Sequence, residues 1–432
     1  MSDGIVADVL KMEQKKDDIV ELAARYVCPG RVETFKMLGT VPVMGRREGN
    51  YFWDLDGKKL FDVHINGGTY NLGHRNPEIV ETLKNAVDQY DIGNHHFASI
   101  ARSKLAERLV ALTPGNMKYV VFTPGGGEAI DITIRTARKF TGRKKVVAFK
   151  EAYHGHGGLG LRAGGYADLA DFFLSGGPEG EFDLVPFNDI DVMKDALEGD
   201  DVAAVLSEMI PATSGFLMPY DEYFPEVKDL CEKHGTLFIA DEVQTGLGRT
   251  GKVWACEGYK VKPDMLVTGK GLSGGVYPIA AALLSEEVAG WLMEDGWGHS
   301  STFGGSELGC VIALKVLEIL ERPGVLENVN AVSEFVAKGL AEIKGRHPFL
   351  AEIRQNGLVI GLRFDNPYGG MMMAASSFES GLWAFPAGFD RSVLQFKLNI
   401  LVDKEACGEA LSLLEKAIVY CEEKFLKGLK GS

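Results

Sequence analysis

Lys270 ends the apolar run Asp264-Met-Leu-Val-Thr-Gly-Lys270, and Asp241 ends the preceding apolar run Leu237-Phe-Ile-Ala-Asp241. An amine desolvated at the mouth of a strand has its pKa lowered, so that it can act as a nucleophile and later carry a proton. A carboxylate at the mouth of the neighbouring strand can keep a pyridine nitrogen protonated, so that the ring accepts the electrons released at an α-carbon. The two residue types are what pyridoxal 5'-phosphate chemistry needs: Lys270 to form a Schiff base with the aldehyde, Asp241 to face the ring nitrogen. Taken singly, each is a solvated charge at a strand end. Only their company separates the two readings.

An anionic cofactor also needs converging backbone donors. Thr123-Pro-Gly-Gly-Gly127 joins a strand-like run, Tyr119-Val-Val-Phe-Thr123, to a helical pattern, Glu128 to Arg138. Gly125, Gly126 and Gly127 therefore form a turn at a helix N-terminus, where the amides of Gly126 and Gly127 and the helix dipole favour a phosphate. An ordinary glycine-rich turn is the alternative.

Several segments carry a family resemblance. Ile239-Ala-Asp241-Glu-Val-Gln-Thr-Gly-Leu-Gly-Arg249-Thr-Gly251 is similar to the cofactor-binding signature of class III, fold-type I aminotransferases, and Thr268-Gly-Lys270-Gly-Leu-Ser-Gly-Gly-Val-Tyr-Pro278 resembles their lysine motif. Tyr51-Phe-Trp-Asp54-Leu-Asp-Gly57, Leu72-Gly-His74-Arg-Asn-Pro77, Phe122-Thr-Pro-Gly-Gly-Gly-Glu-Ala129, Tyr153-His-Gly155 and His299-Ser-Ser-Thr302-Phe-Gly-Gly305 follow the same family order. The resemblance implies that the ring is held between Tyr153 and Val243, that Gln244 donates to its hydroxyl, and that Glu208 stands just behind Asp241 and Lys270. Thr302 matches a threonine that reaches the phosphate of the neighbouring subunit, which implies a homodimer. The family's Asn-Ser-Gly-Thr or Asn-Ser-Gly-Ala is replaced here by Pro124-Gly125-Gly126-Gly127, which loses a hydroxyl and keeps the amides.

A second departure bears on the substrate. The family arginine that forks onto an α-carboxylate is Gln395 here, in Val393-Leu-Gln395-Phe-Lys397-Leu-Asn399, and its gate glutamate is Thr213. Neither Gln395 nor the neighbouring Lys397 replaces a bidentate arginine. The expected donor is a primary amine without an α-carboxylate, an ω-amine, with any acidic group at its far end, within reach of Arg162 or an N-terminal arginine. The acceptor is a small oxo acid or aldehyde. A lyase releasing ammonia by β-elimination, a racemase and an aminomutase are alternatives on the same scaffold.

The elements that must position these residues read as an α/β protein. Lys145-Val-Val-Ala-Phe149, Ala203-Ala-Val-Leu-Ser-Glu208, Leu237 to Asp241 and Met265-Leu-Val-Thr268 alternate with helical patterns. That alternation predicts a mainly parallel, doubly wound sheet with ligands beyond the carboxyl ends of its strands. After about residue 310 the pattern turns helical before a short strand at 357–363. The expected division is a segment 1–60 that adds strands to a smaller α+β domain, a large cofactor-binding domain 61–310, and a C-terminal part 311–432 of the small domain.

With 432 residues, 46% of them hydrophobic, the chain can bury a sizeable core, and a net charge of -14 argues against nucleic acid or an anionic membrane surface as partner. The six cysteines are scattered without a metal-ligand spacing, so no metal is expected. The start lacks a secretory pattern and the apolar runs are too short for a bilayer, which makes the cytoplasm the expected compartment. Gly155-His-Gly-Gly-Leu-Gly160 satisfies the dinucleotide fingerprint, an oxidoreductase reading that lacks a following amphipathic helix. His154 and His156 invite a metal or base reading; a hydrogen-bonded or solvated histidine is the expectation for each.

Overall fold

Apolar runs without a period-two alternation need burial on both faces of a sheet. In the computed structural model, which describes residues 4–426, the central strands meet that need. After three helices, Gly4–Lys11, Lys16–Tyr26 and Pro29–Met37, the chain forms β1 (Met44–Glu48), β2 (Tyr51–Asp54) and β3 (Lys59–Asp62). Then come β4 (Met117–Thr123), β5 (Lys145–Phe149), β6 (Phe182–Val185), β7 (Val202–Glu208), β8 (Leu237–Asp241), β9 (Met265–Thr268) and β10 (Ala280–Ser285). These seven make one sheet in the order β4-β10-β9-β8-β7-β5-β6. Only β10 runs antiparallel to its neighbours, so the sheet is mainly parallel, as its alternation with helices implied.

Every residue of β7, β8, β9 and β10 is buried. The helix Gly126–Thr141 lays Ala129, Ile130, Ile134 and Ala137 against Leu206, Ile239 and Val267 of the sheet. Burying a side chain such as Leu206 or Ile239 contributes about 1.5–3 kcal/mol, which makes the strand ends a rigid platform. On that platform Glu208 pairs in register with Asp241, Asp241 pairs with Val267, and Lys270 follows two residues beyond the end of β9.

Among the described residues the C-terminal part adds four α-helices, Glu307–Leu320, Val325–Arg346, Gly369–Ser380 and Lys404–Cys421, and five strands. These are β11 (Leu350–Asn356), β12 (Val359–Phe364), β13 (Leu382–Trp383), β14 (Phe385–Pro386) and β15 (Val393–Lys397). Four of them form the sheet β11-β12-β15-β14, while β13 crosses to pair parallel with β3, Leu382 beside Phe61. Sequence pattern located β12 but not β11, whose Glu352 and Arg354 bond to each other at its edge and break the apolar run. β15 is tied to the start of the large sheet's domain: Lys397 N donates to Val63 O (2.6 Å) and Ile400 N to Asn71 O (2.9 Å). Among the described residues no helix is long and apolar enough to cross a membrane.

Candidate active site

Lys270 sits in the left-handed region of backbone space with φ of 42°, a conformation that side chains other than glycine adopt at a cost. The turn aims its side chain back over the ends of β7 and β8. Burial lowers the Lys270 ammonium below the ordinary lysine value; Glu208 and Asp241 pull it back up, and Arg249 lowers it further. Opposite, a second strained segment closes over it. Ile65 and Asn66 have φ of 45° and 47°. Asp62 holds this turn, its Oδ1 accepting from His64 N (2.9 Å) and Ile65 N (2.7 Å) and its Oδ2 bonded to His74 Nε2 (2.8 Å). The turn brings Gly67 so close that a methyl group there would lie 3.6 Å from Lys270 Cε and 3.8 Å from Gln244 Oε1. Glycine is needed at that approach and at its φ of 66°.

Asp241 is buried and fixed from two sides, by Val243 N on Oδ1 (3.0 Å) and by His154 Nδ1 on Oδ2 (2.7 Å). His154 is itself buried, and its Nε2 has no hydrogen-bond partner. Glu208 accepts from Tyr153 N (2.9 Å) and Ala212 N (3.3 Å), and burial raises its carboxyl to about 7 despite the nearby His154. Near neutral pH Glu208 is therefore partly protonated, which lessens the negative charge beside Asp241.

A chamber of about 180 Å³ lies between these groups, lined by Gly126, Gly127, Tyr153, His154, Glu208, Asp241, Val243, Gln244 and Lys270. Its donor set fits pyridoxal phosphate. The first amides of the helix Gly126–Thr141 lack intrahelical partners. A Cβ on Gly126 would come within 3.1 Å of Val243, so only a bare amide edge leaves room there. Gly125 plays a different part: it precedes the helix, and its carbonyl accepts from Thr123 Oγ1 (2.9 Å), so it does not line the chamber. Thr302 is exposed on the turn that follows His299 and lines neither chamber of its own chain.

A larger cavity of about 730 Å³ opens from the first and shares Lys270, Tyr153 and Gln244 with it. Its walls carry Phe35, Phe52, Tyr70, Tyr166, Trp383 and Phe385, together with Arg31, Thr213 and Gln395. The geometry corrects one expectation. Arg162 is absent from this cavity; its Nη1 is bonded to Glu181 Oε2 (2.8 Å), and its guanidinium lies 4.8 Å from the ring of Phe182. The arginine near the N-terminus that does line the cavity is Arg31. The dinucleotide reading fails too, since Gly155 packs on Gly127 and only a three-residue turn of helix, Gly160–Arg162, follows. Sequence reasoning treated His154 as a solvated or bonded histidine and found no partner for it; the Asp241 contact spans 87 residues of chain and leaves no local signal. Asp62 and His64 carry no local signal for the same reason, and sequence alone does not single out Arg31 among the N-terminal arginines. His156 lies against Tyr153 and Tyr166, with ring centres 5.3 and 4.9 Å away.

The profile of the family described as aminotransferase class-III matches residues 37–418. An uncharacterized aminotransferase of Archaeoglobus fulgidus is 46% identical over 415 residues, 95% of this chain and 93% of that protein. Putrescine aminotransferase of Pectobacterium atrosepticum is 31% identical, covering 93% of this chain and 88% of that protein. Among solved structures, ornithine aminotransferase of Toxoplasma gondii superposes with a TM-score of 0.88 over 98% of this chain and 99% of that one, at 24% identity.

The raised Glu208 carboxyl sets a pH dependence. Its folded value of about 7 lies above the ordinary 4.5, so the folded state binds the proton more tightly and this contribution to stability is lost as pH rises from 4.5 through about 7. Denaturant unfolding of the cofactor-free protein between pH 5 and 8 should show wild type losing more stability with rising pH than Glu208→Gln. Parallel slopes would show that Glu208 titrates normally.

Proposed function

The chain belongs to the class-III aminotransferases, which are pyridoxal-phosphate enzymes, and on that premise we propose that its amino donor is a primary amine with no carboxylate on the reacting carbon and an anionic group at its far end. One observation carries this reading: the chamber that ends at Lys270 has Gln395 and Thr213 on its wall and an arginine, Arg31, contributed by the helix Pro29–Met37. Arg31 forms no ion pair within 4.0 Å among the described residues, so an anionic substrate group is its natural partner. The aromatic side chains between the two ends suit an unbranched methylene chain. β-Elimination, racemisation and internal amino transfer draw no support from the relatives, which are named as aminotransferases.

When bound, pyridoxal phosphate supplies the aldehyde that receives the amino group and a ring that takes up electrons from the substrate carbon. Asp241, held by His154 and Val243 N, would keep the ring nitrogen protonated. Tyr153 and Val243 would flank the ring and exclude water, and Gln244 would donate to its hydroxyl. Gly126 and Gly127 would hold the phosphate through their amides. Lys270 Nζ, lowered in pKa by burial, would take up the proton from the reacting carbon and hold it for return.

The active unit is a homodimer in which Thr302 adds its hydroxyl to the partner's phosphate site. The exposed apolar residues Phe97, Ile100, Trp297 and Phe303, the last beside Thr302, support an interface on that face.

Two experiments test these readings. With pyruvate as acceptor, 4-aminobutyrate and 5-aminopentanoate should be preferred over butylamine and putrescine by about tenfold or more in kcat/KM, the scale of one charge-assisted contact. Arg31→Leu should abolish that preference, and 2-oxoglutarate should be a poor acceptor, weakened by about 2–5 kcal/mol for want of a cationic fork. Preference for putrescine or butylamine would overturn the distal anion. For the dimer, mixing inactive Lys270→Ala and Thr302→Ala chains should restore activity, because the mixed dimer has one site with both defects and one with neither. No restoration on verified heterodimer formation would show that Thr302 does not serve the partner.

A further inference from the structure

Lys397, the last residue of β15, has no exposed surface and no role in the proposal above. It shares a strand face with Gln395, two residues earlier. No carboxylate lies within 4.0 Å of its Nζ among the described residues. Its partners are Gln395 Oε1 (2.5 Å), Gln244 Oε1 (3.5 Å) and the face of Phe216 (5.2 Å to the centroid). A buried cation without a counter-ion is costly. Burial accordingly pushes the Lys397 amine well below the lysine range, with Lys270 and Arg249 adding to the push and Asp62 opposing it. Charged or neutral, the amine keeps N–H donors for both glutamine oxygens.

A glutamine amide has a donor end and an acceptor end of nearly the same shape, so an isolated side chain presents either to a cavity. Gln395 lines the substrate chamber, and Gln244 lines both chambers. We infer that Lys397 is a positioning residue that fixes both amides at once: by donating to the two Oε1 atoms it turns Nε2 of Gln395 toward the substrate and Nε2 of Gln244 toward the cofactor. On Gln395, one N–H of Nε2 goes to Pro386 O (3.0 Å), which leaves the second for the chamber. The substrate group that meets Gln395 is therefore an oxygen acceptor, a carboxylate oxygen of the oxo-acid amino acceptor, and not a second ammonium. This deepens the aminotransferase reading and rests on it for the substrate arm alone.

The test compares Lys397→Met, Lys397→Gln, Gln395→Leu and the Lys397→Met/Gln395→Leu double variant. KM and kcat of the holoenzymes are measured for pyruvate as the varied acceptor at a saturating concentration of the best donor of the panel, and the affinity of the cofactor-free proteins for pyridoxal phosphate is measured by fluorescence titration. Lys397→Met should raise KM about tenfold, the scale of one lost buried hydrogen bond, with a smaller change in kcat, and weaken cofactor affinity severalfold. Gln395→Leu should raise KM by a similar factor and leave cofactor affinity as in wild type, and the double variant should be no worse in KM than either single one, because both act on one contact. Lys397→Gln, which retains an N–H donor, should recover part of both losses. Wild-type KM and cofactor affinity in Lys397→Met, or KM effects that multiply in the double variant, would overturn the inference. Gln395→Leu keeps Lys397 in place and decides the substrate arm if Lys397→Met does not fold; a KM within twofold of wild type would then refute it. If no amine of the panel is turned over, the donor reading fails while the cofactor titration still decides the role of Lys397.

Discussion

The site depends on keeping one amine poorly solvated among acids without letting either charge settle the matter. Lys270 lies where burial lowers its basicity while Glu208 and Asp241 raise it. A salt bridge to either acid would lock the amine as an unreactive cation, and a fully apolar pocket would leave no acid for the ring nitrogen. The sheet resolves this by ending β7, β8 and β9 side by side, with Asp241 occupied by His154 and Glu208 by two backbone amides. Two strained turns complete the arrangement, one at Lys270 itself and one at Ile65 and Asn66. Conformations of this kind cost about 1–3 kcal/mol each and persist only where the surroundings over-determine them. Asp62, gripped by His74 and spanning two amides, is that support for the second turn.

Much of this was legible in the chain because it is encoded locally. β5, β8 and β9 were read to the residue, since short apolar runs bounded by glycine or acid have one physical use in an α/β protein. The glycine turn before the helix Gly126–Thr141 was legible for the same reason. Contacts closed by folding were not. His154 reaches Asp241 and Lys397 reaches Gln244 across long stretches of chain, with no spacing to mark them. Arg162 and an unspecified N-terminal arginine are equal candidates from sequence for the far end of the substrate, and only the fold, which gives Arg162 to Glu181 and sets Arg31 on the cavity wall, separates them. β11 escaped notice because the charges on it pair with one another.

The departures Gln395 and Thr213 acquire a physical sense beside Lys397. A chamber wall that offers an amide N–H in place of a guanidinium fork favours a single oxygen over a bidentate carboxylate. Positive charge is nevertheless close by, buried behind the wall at Arg249. On the proposed reading, selectivity depends on which donors reach the surface of the chamber.

The most direct test of this account is the protonation of Lys270 in the cofactor-free enzyme. Competitive labelling with acetic anhydride across a pH series, read peptide by peptide by mass spectrometry, reports the titration of each lysine with exposed lysines as internal references. The account predicts that Lys270 reaches half of its maximal reactivity clearly below the ordinary lysine value of 10.5. A Lys270 that titrates together with the exposed lysines would contradict it.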